Sequence, residues 1–472
     1  MTRFAIRAAF LTALAAGASA PAAGAAVYTV DDNGPADFPS IQSAINAAGA
    51  GDEVVVRPGR YKETLNFLGK AITVRSESGP AATVLYLEGE TRVVLLNGNA
   101  TLRGFTISGG RARTGAGIAV VGGANPTIEG NVIEGNTAAR DGSAFPAFGA
   151  GIAVDPGSRP VITRNVIAGN AVLGDAQGVF AYGGAIDVGD DASAVVINNT
   201  IRDNVASDSG GGISLGVTGA AMPVDVTNNT IFGNEAGSGA ANTFSYGGGI
   251  LAADGAAATL RNNLFVQNVA RFAGGGIHFF ATGLQGFTYT LNDFDGNLPD
   301  ACGGLPSSKC DGGQLFLPAG FEDPAANRFR LRSDSALIDR GTGTGVPSVD
   351  ADGRPRNVDG DLNGTAAPDV GAFENPRELT RLRFDGPDAL AWDDSVNAAV
   401  VFELYRDALR PLAAGPVGEC LAGSLPTPSA TDATVPATGQ GFLYLVRGKA
   451  TATGSLGTAS SGSERVPAVA CP

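Results

Sequence analysis

Apolar and polar positions alternate over very short runs through residues 104–297, and one such unit recurs six times. Each unit opens on a Gly-rich seed: Gly117-Ile118-Ala119-Val120, Gly151-Ile152-Ala153-Val154, Ala185-Ile186-Asp187-Val188, Gly212-Ile213-Ser214-Leu215, Gly249-Ile250-Leu251-Ala252 and Gly276-Ile277-His278-Phe279. In a strand, the Ile and the second apolar residue share one face and the residue between them takes the other. A dozen or more residues later comes Asn-x-(Ile/Phe)-x-x-Asn, starting at Asn131, Asn165, Asn199, Asn229, Asn263 and Asn292, in steps of 34, 34, 30, 34 and 29 residues. A period in that range marks a repeat architecture. Runs of three to five residues rich in Val, Ile and Thr, broken by Gly, Asn and Asp, are short-strand chemistry. Helical repeats would need amphipathic runs of ten or more. The pattern therefore predicts stacked coils of about three short strands each, a parallel β-helix with a rise of about 4.8 Å per coil. The two Asn positions form columns whose amides bond from coil to coil. Asn also tolerates the left-handed turn conformation that strand junctions use.

The flanks read differently. Val27–Val30 is a strand, and residues 39–48 form a short helix with Ile41, Ala44, Ile45 and Ala48 on one stripe. Such a helix hides the unpaired edge and apolar core of the first coil. The run Gly51-Asp52-Glu53-Val54-Val55-Val56-Arg57-Pro58-Gly59-Arg60-Tyr61-Lys62-Glu63 resembles the opening of the pectin-lyase-like, right-handed parallel β-helix superfamily. The resemblance covers roughly residues 27–297; it implies the fold and not an activity, because many functions share it. Two or three further coils fit between 62 and 110. Ser335-Ala336-Leu337-Ile338-Asp339-Arg340-Gly341, Asp350-x-Asp352-Gly353-x-x-Arg356 and Asp369-Val370-Gly371-Ala372-Phe373-Glu374 resemble the choice-of-anchor Q segment of exported bacterial β-helix proteins. That resemblance implies a closing cap over 298–376. Alternating runs at Arg381–Phe384, Ala389–Trp392, Val400–Tyr405 and Phe442–Arg447, with Tyr444 in a late strand, resemble a fibronectin type III sandwich over 377–472. The fold class expected is all-β: a right-handed parallel β-helix, residues 26–376, followed by a small β-sandwich.

Charge narrows the partners. A net charge of −14 and a pI near 4.6 argue against nucleic acid and anionic membrane surfaces. They leave neutral sugars, or acidic polymers held through a cation. Arg3 and Arg7, the apolar run Ala8–Ala16 and a cleavage site at Ala23-Gly24-Ala25 make residues 1–25 a secretory signal. The run is too short to span a bilayer, so the expected mature protein is secreted or at the cell surface, with no membrane insertion. No signature of an oligomeric state is visible. Cys302, Cys310, Cys420 and Cys471 suit an oxidising compartment. Cys302 with Cys310 and Cys420 with Cys471 is the pairing that sequence proximity favours, among three connectivities. No Cys-x-x-Cys occurs, and His278 is the only histidine.

Candidate chemistry is thin. The outward position of the seed strand reads Ala119, Ala153, Asp187, Ser214, Leu251, His278, so only Asp187 and His278 could do acid–base work there. They stand three coils apart, about 14 Å at the β spacing. Asp190 and Asp191 make a small acidic cluster with Asp187, or simply a solvated turn. The Asp-Asp pair lacks the Asn-x-Asp, Gly-His-Gly and Arg-x-Lys partners of polygalacturonase-type hydrolases, and the coils carry no lyase base motif, so a lyase would need a base from a loop. Three inserted loops end Phe145-Pro146-Ala147-Phe148-Gly149, Phe180-Ala181-Tyr182-Gly183 and Phe244-Ser245-Tyr246-Gly247. Phe148, Tyr182 and Tyr246 each lie four residues before the repeat Ile, which puts the loops on one edge. These rings, with Phe180 and Phe244, either stack sugar rings or close the loops over their own backbone. Finally, Asp359, Asp361 and Asn363 stand at alternate positions, as oxygen ligands do in calcium loops, but position twelve is Val370 rather than Glu. Two readings follow: a non-catalytic carbohydrate-binding or surface-structural protein, or a polysaccharide lyase or hydrolase acting on an acidic polysaccharide, with Ca2+ as an optional cofactor.

Overall fold

The computed structural model describes residues 24–449 apart from 90, 140–144, 175–179, 217–222, 239–243, 254–255, 281–286, 305–311, 362, 364, 376–379, 385–388, 394–400, 409–418, 426–428 and 433–441. Residues 1–23, which hold most of the expected signal, and Cys310 and Cys471 lie outside the described residues. Cys302 and Cys420 lie within them, and no cysteine described is free. No helix among the described residues is long and apolar enough to cross a membrane.

Each turn of the chain lays one strand on each of three long parallel sheets. The first sheet has ten strands from Val27–Val30 to Phe287–Thr290; the second has nine, from Gly59–Tyr61 to Asp293–Asp295; the third has nine, from Leu65–Asn66 to Cys302–Gly303. A fourth sheet of six short strands, Arg111–Ala112 to Val269–Ala270, was not expected and makes four strands in the central coils. The register is the repeat itself. Ile118, Ile152, Ile186, Ile213, Ile250 and Ile277 stack in the third sheet. Ile133, Ile167, Ile201, Ile231 and Phe265 stack in the second. All of them are buried in one continuous core, so β-branched side chains fill the solenoid as stacked columns.

The Asn columns bond as the repeat predicts. At every step an amide oxygen of the next coil accepts two bonds from the coil before it. Asn165 Oδ1, for example, takes Asn131 N–H at 2.9 Å and Asn131 Nδ2–H at 3.1 Å. The second column runs the same way from Asn136 to Asn297. Gln314 ends the first column, accepting from Asn292. The left-handed residue, however, is the one before each ladder Asn: Arg164, Asn198, Asn228, Asn262 and Leu291 have φ of 51–58°. The ladder needs an amide; the sharp corner beside it is made by its neighbour. Another corner, before the third sheet, uses glycine for a steric reason. Gly149 has φ +53°, and a Cβ there would sit 2.3 Å from Ile152 O.

The opening motif proves structural. Asp52 accepts from Ala26 N and Gly49 N, Tyr61 Oη donates to Arg57 O, and Glu63 accepts both Ile41 N and Gln42 N at 3.0 Å. Glu63 thereby holds the N-terminus of the helix Ile41–Ala47, whose Ile41, Ala44 and Ile45 are buried over the first coil.

Residues after the last coil run back along the flank. A hairpin, Phe321–Asp323 with Arg328–Leu331, packs Phe321 and Phe329 on Phe232 of the second sheet, with Leu264, Val266, Leu337, Ile338 and Val370 around them. The following segment docks on the left-handed corner column. Asn262 bonds Thr342, Asn228 bonds the carbonyls of Asp369 and Gly371, Asn198 bonds Val349 O, and Arg164 bonds Ala351 O. Beyond it, strands at Thr380–Phe384, Ala389–Asp393 and Ser429–Thr431 form one antiparallel sheet. Glu419–Leu425, Val401–Ala408 and Phe442–Lys449 form another.

Candidate functional site

The outward face of the third sheet is not open. Ala119, Ala153, Asp187, Ser214, Leu251 and His278 are all between 0 and 5 % exposed. The expectation that Asp187 and His278 point to solvent is therefore corrected. What covers them is the loop edge, which forms a register of its own: Thr114, Phe148, Tyr182, Ser209, Tyr246 and Ala273 follow one another through short bridges. The shared offset of Phe148, Tyr182 and Tyr246 before the repeat Ile has this physical meaning.

The rings divide into two groups. Phe148 stacks on Tyr182 at 5.9 Å, and Tyr182 on Phe180 at 5.8 Å. Farther along, Tyr246 packs against His278 at 4.3 Å, with Phe272 and Phe280 around it and Phe244 against Phe272. Phe148, Tyr182 and Tyr246 are half-buried, whereas Phe145, Phe180 and Phe244 are exposed. The first three thus shield the sheet while keeping one side accessible; the others stand into solvent.

Asp187 and His278 have opposite surroundings. Asp187 receives a short bond from Ser214 Oγ–H, and burial, with the nearby charges of Asp190 and Asp155, pushes its carboxyl up to about 7. Burial holds His278 down to about 4, and its buried Nδ1 has no partner among the described residues. A neutral ring wedged between Tyr246 and Phe280, three coils from Asp187, fills space; the two groups are not brought together.

Asp187 opens instead into a cavity of about 290 Å³. Arg113, Thr114, Phe148, Ala153, Val154, Asp155, Pro156, Gly189 and Asp190 line it with Asp187. The aromatic edge and the acidic turn, separate in the sequence, here share one wall. Asp191, by contrast, is exposed and left-handed, a turn residue. Sequence reasoning missed Asp155 and Arg113. Asp155 directly follows the seed strand Ile152–Val154, so reading one position past the seed would have found it; Arg113 directly precedes Thr114 in the loop-edge register, and only that register points to it. Burial raises the Asp155 carboxyl, while Arg92 and Arg113 pull it down. Arg113 donates to Pro146 O at 3.0 Å and lies over the Phe145 ring. Chemically, the cavity offers a ring face and three carboxyl groups, of which Asp187 holds its proton most tightly toward neutral pH.

The buried acid should show in the pH dependence of folding. An acid whose proton affinity is raised by folding contributes stability that is complete below about pH 4, its unfolded value, and is lost as pH rises through about 7. Asp187→Asn keeps the shape and removes the titration. In guanidinium unfolding, the variant should gain on the wild type between pH 5 and 8 by on the order of 1–3 kcal/mol. The difference between the proteins cancels Asp293 and Glu374, which also titrate near 7. A pH-independent difference would refute the burial assigned to Asp187.

At the flank, oxygens of Asp339, Asp359 and Asp361 lie within 4.8 Å of one another. Asn363, expected as a ligand, donates its N–H to Asp359 and Asp361 and its side-chain amide to Asp361. Asp339, which the sequence did not point to, completes the carboxylate trio while accepting from Gly360, Asp361 and Ala367 N–H. Three carboxylates of this kind suit a hard cation such as Ca2+.

Residues 83–302 match the family described as the right handed beta helix region, and the solenoid is a right-handed parallel β-helix. Among solved structures, the chain is similar to the one titled "Crystal structure of pectate lyase Pel9A", at 17% identity and a TM-score of 0.46, over 75% of this chain and 97% of that one. It is also similar to "Structure of PL6 family alginate lyase AlyGC", at 15% identity and a TM-score of 0.23, over 60% of this chain and 53% of that one. These likenesses concern the fold. No curated protein matches the chain.

Proposed function

We propose that this is an exported carbohydrate-binding protein that seats one sugar unit of a polysaccharide in the cavity between Phe148 and Asp187. The observation that supports it is the sharing of one small cavity by an aromatic ring and the carboxyl groups of Asp155, Asp187 and Asp190. A ring face takes the axial C–H bonds of a pyranose, and carboxylates accept its hydroxyl protons. At about 290 Å³ the space is at the small end of ligand pockets, which suits a single ring rather than a long segment. Phe145, Phe180 and Phe244 extend an aromatic edge along which the rest of the polymer lies. In this reading residues 1–25 direct export, Cys302 pairs with Cys310 and Cys420 with Cys471. Residues 377–472 form a fibronectin type III-like sandwich that spaces or presents the solenoid, and Ca2+ steadies the Asp339–Asp361 turn.

A second reading, glycan hydrolysis, draws on the unequal carboxyls. Asp187, protonated up to about pH 7, is suited to be a general acid beside Asp155 or Asp190. One panel separates the two. Purified protein is run in affinity gels containing uronic and neutral polysaccharides, and parallel incubations are assayed for new reducing ends and unsaturated products. Retention without new ends is expected, weakened at least about tenfold by Phe148→Ala, the equivalent of about 1.4 kcal/mol. New ends that vanish in Asp187→Asn would establish the hydrolase. No retention and no cleavage across the panel would overturn both.

A further inference from the structure

We infer that a second sugar-stacking site, built from Tyr246, Phe272, Phe280 and His278, lies three coils beyond the cavity on the same edge, so that one polysaccharide chain runs along the solenoid axis and engages both. The inference rests on the glycan reading above and adds a site to it. The base of this cluster is fixed. The buried His278 ring packs against Tyr246 at 4.3 Å and against Phe280 at 4.8 Å. Gly303, the next residue of the same column, makes room for it, because a Cβ there would lie 2.5 Å from His278 Nδ1. Tyr246 donates its backbone N–H to Ser209 Oγ at 3.1 Å, and Phe272 donates its own to Ser245 O at 3.0 Å. A surface held in this way loses little freedom when a ligand settles on it.

The outer rings face solvent. Phe272 and Phe280 each stand at 72° to the Tyr246 ring, and Phe244 stands at 63° to Phe272. Rings that meet edge to face leave ring faces uncovered. Phe244, Phe272 and Phe280 accordingly remain 59, 49 and 45 % exposed. Single exposed apolar residues are ordinary, but three adjoining phenyl rings on a rigid base mark a binding surface.

Register ties this surface to the cavity. Phe148, Tyr182, Ser209 and Tyr246 follow one another along the loop edge. Asp187, Ser214, Leu251 and His278 follow one another in the sheet beneath. Each path is three coil steps, about 14 Å, and runs along the stack. A ligand that touches both sites therefore extends parallel to the axis and is several sugar rings long. Between them, Phe180 stacks on Tyr182 at 5.8 Å and continues the aromatic surface. Burial holds His278 down to about 4, so the second cluster is uncharged at neutral pH and the affinity gained there should not fall with salt.

The test is calorimetric titration of the full chain with a dimer and a hexamer of a β-1,4-glucan and of a polyuronate. In the series that binds, the hexamer should bind at least about tenfold tighter than the dimer, because its second contact is intramolecular. Phe272→Ala, at an exposed ring, should remove most of that gain and leave both the dimer's affinity and the melting temperature unchanged. Phe148→Ala should weaken dimer and hexamer alike. A hexamer no tighter than the dimer, or a length gain that survives Phe272→Ala and Phe280→Ala while Phe148→Ala abolishes binding, would overturn the second site and leave the glycan reading standing. If neither series binds, the polysaccharide retained in the affinity gels decides: retention weakened by Phe272→Ala supports the second site, and retention unchanged overturns it. With no retention either, both readings fall.

Discussion

Asn199→Ala is expected to cost about 3–5 kcal/mol of unfolding free energy, the largest effect of any single change in the solenoid. The cost comes from what the amide does. Asn199 Oδ1 accepts from Asn165 N at 2.9 Å and from Asn165 Nδ2 at 3.1 Å. Its Nδ2 donates to Ile162 O at 2.8 Å, Ile197 O at 2.9 Å and Asn229 Oδ1 at 3.0 Å. Truncation leaves a backbone N–H, a side-chain N–H and at least one carbonyl unpaired in a fully buried corner. Each such group costs about 1–3 kcal/mol, and partial relaxation absorbs some of the sum. Because every coil contacts only its neighbours, the damage is local to three coils but interrupts the stack. Guanidinium unfolding followed by circular dichroism should show a clear fall in midpoint. A loss below about 1 kcal/mol would mean that water replaces the amide, and the ladder would then be decoration.

Arg356→Leu should be nearly as damaging, and its cost should depend on pH. The guanidinium is buried against the flank of the solenoid. It donates to Asn198 Oδ1 at 2.8 Å, Ala372 O at 2.8 Å, Gly371 O at 3.1 Å and Glu374 Oε2 at 3.3 Å. Asp350 and Asp369 are the other charges that act on it, so Arg356 faces three buried carboxyls, of which Asp350 also has Arg330 at 3.9 Å. Burial pushes Glu374 up to about 7 and Asp369 up as well, while Arg356 draws Glu374 down. Leucine removes that counter-charge, and loss of one partner from a buried pair costs about 3–5 kcal/mol. The sign with pH follows from the raised acids. Their contribution to stability is complete below about pH 4.5 and is lost as pH rises through 7; without Arg356 their proton affinities rise further. The deficit of Arg356→Leu should therefore be small at pH 4 and grow toward pH 8, and Glu374→Gln in the same background should recover part of it. Thermal melts at both pH values decide the matter. A deficit that is flat with pH would show that packing, and not charge, is what Arg356 supplies.

Both changes act on features of different legibility. The Asn ladder could be read from residue spacing alone, because a column in space is a period in sequence: every step from Asn131 to Asn292 returns as the same pair of bonds. The loop-edge column of Phe148, Tyr182 and Tyr246 was legible for the same reason. What escaped was whatever joins distant, non-periodic segments. The flank segment reaches Asn198, Asn228 and Asn262 across 80 to 158 residues, and nothing in its own sequence points to that corner. Gln314 keeps the ladder chemistry but breaks the motif that identified it. The candidate site was half legible. Asp187 and Phe148 stood out singly, but the burial of the outward face depends on loops folding back over it, and only that burial unites them with Asp155 and Arg113.

The measurement that bears most directly on the central claim is a crystal structure of the protein soaked with the oligosaccharide that the affinity gels retain. The account predicts one sugar ring lying against Phe148, with its polar groups on Asp155, Asp187 and Asp190. Sugar density on another face of the solenoid or on the C-terminal strands, with this cavity holding only solvent, would contradict it.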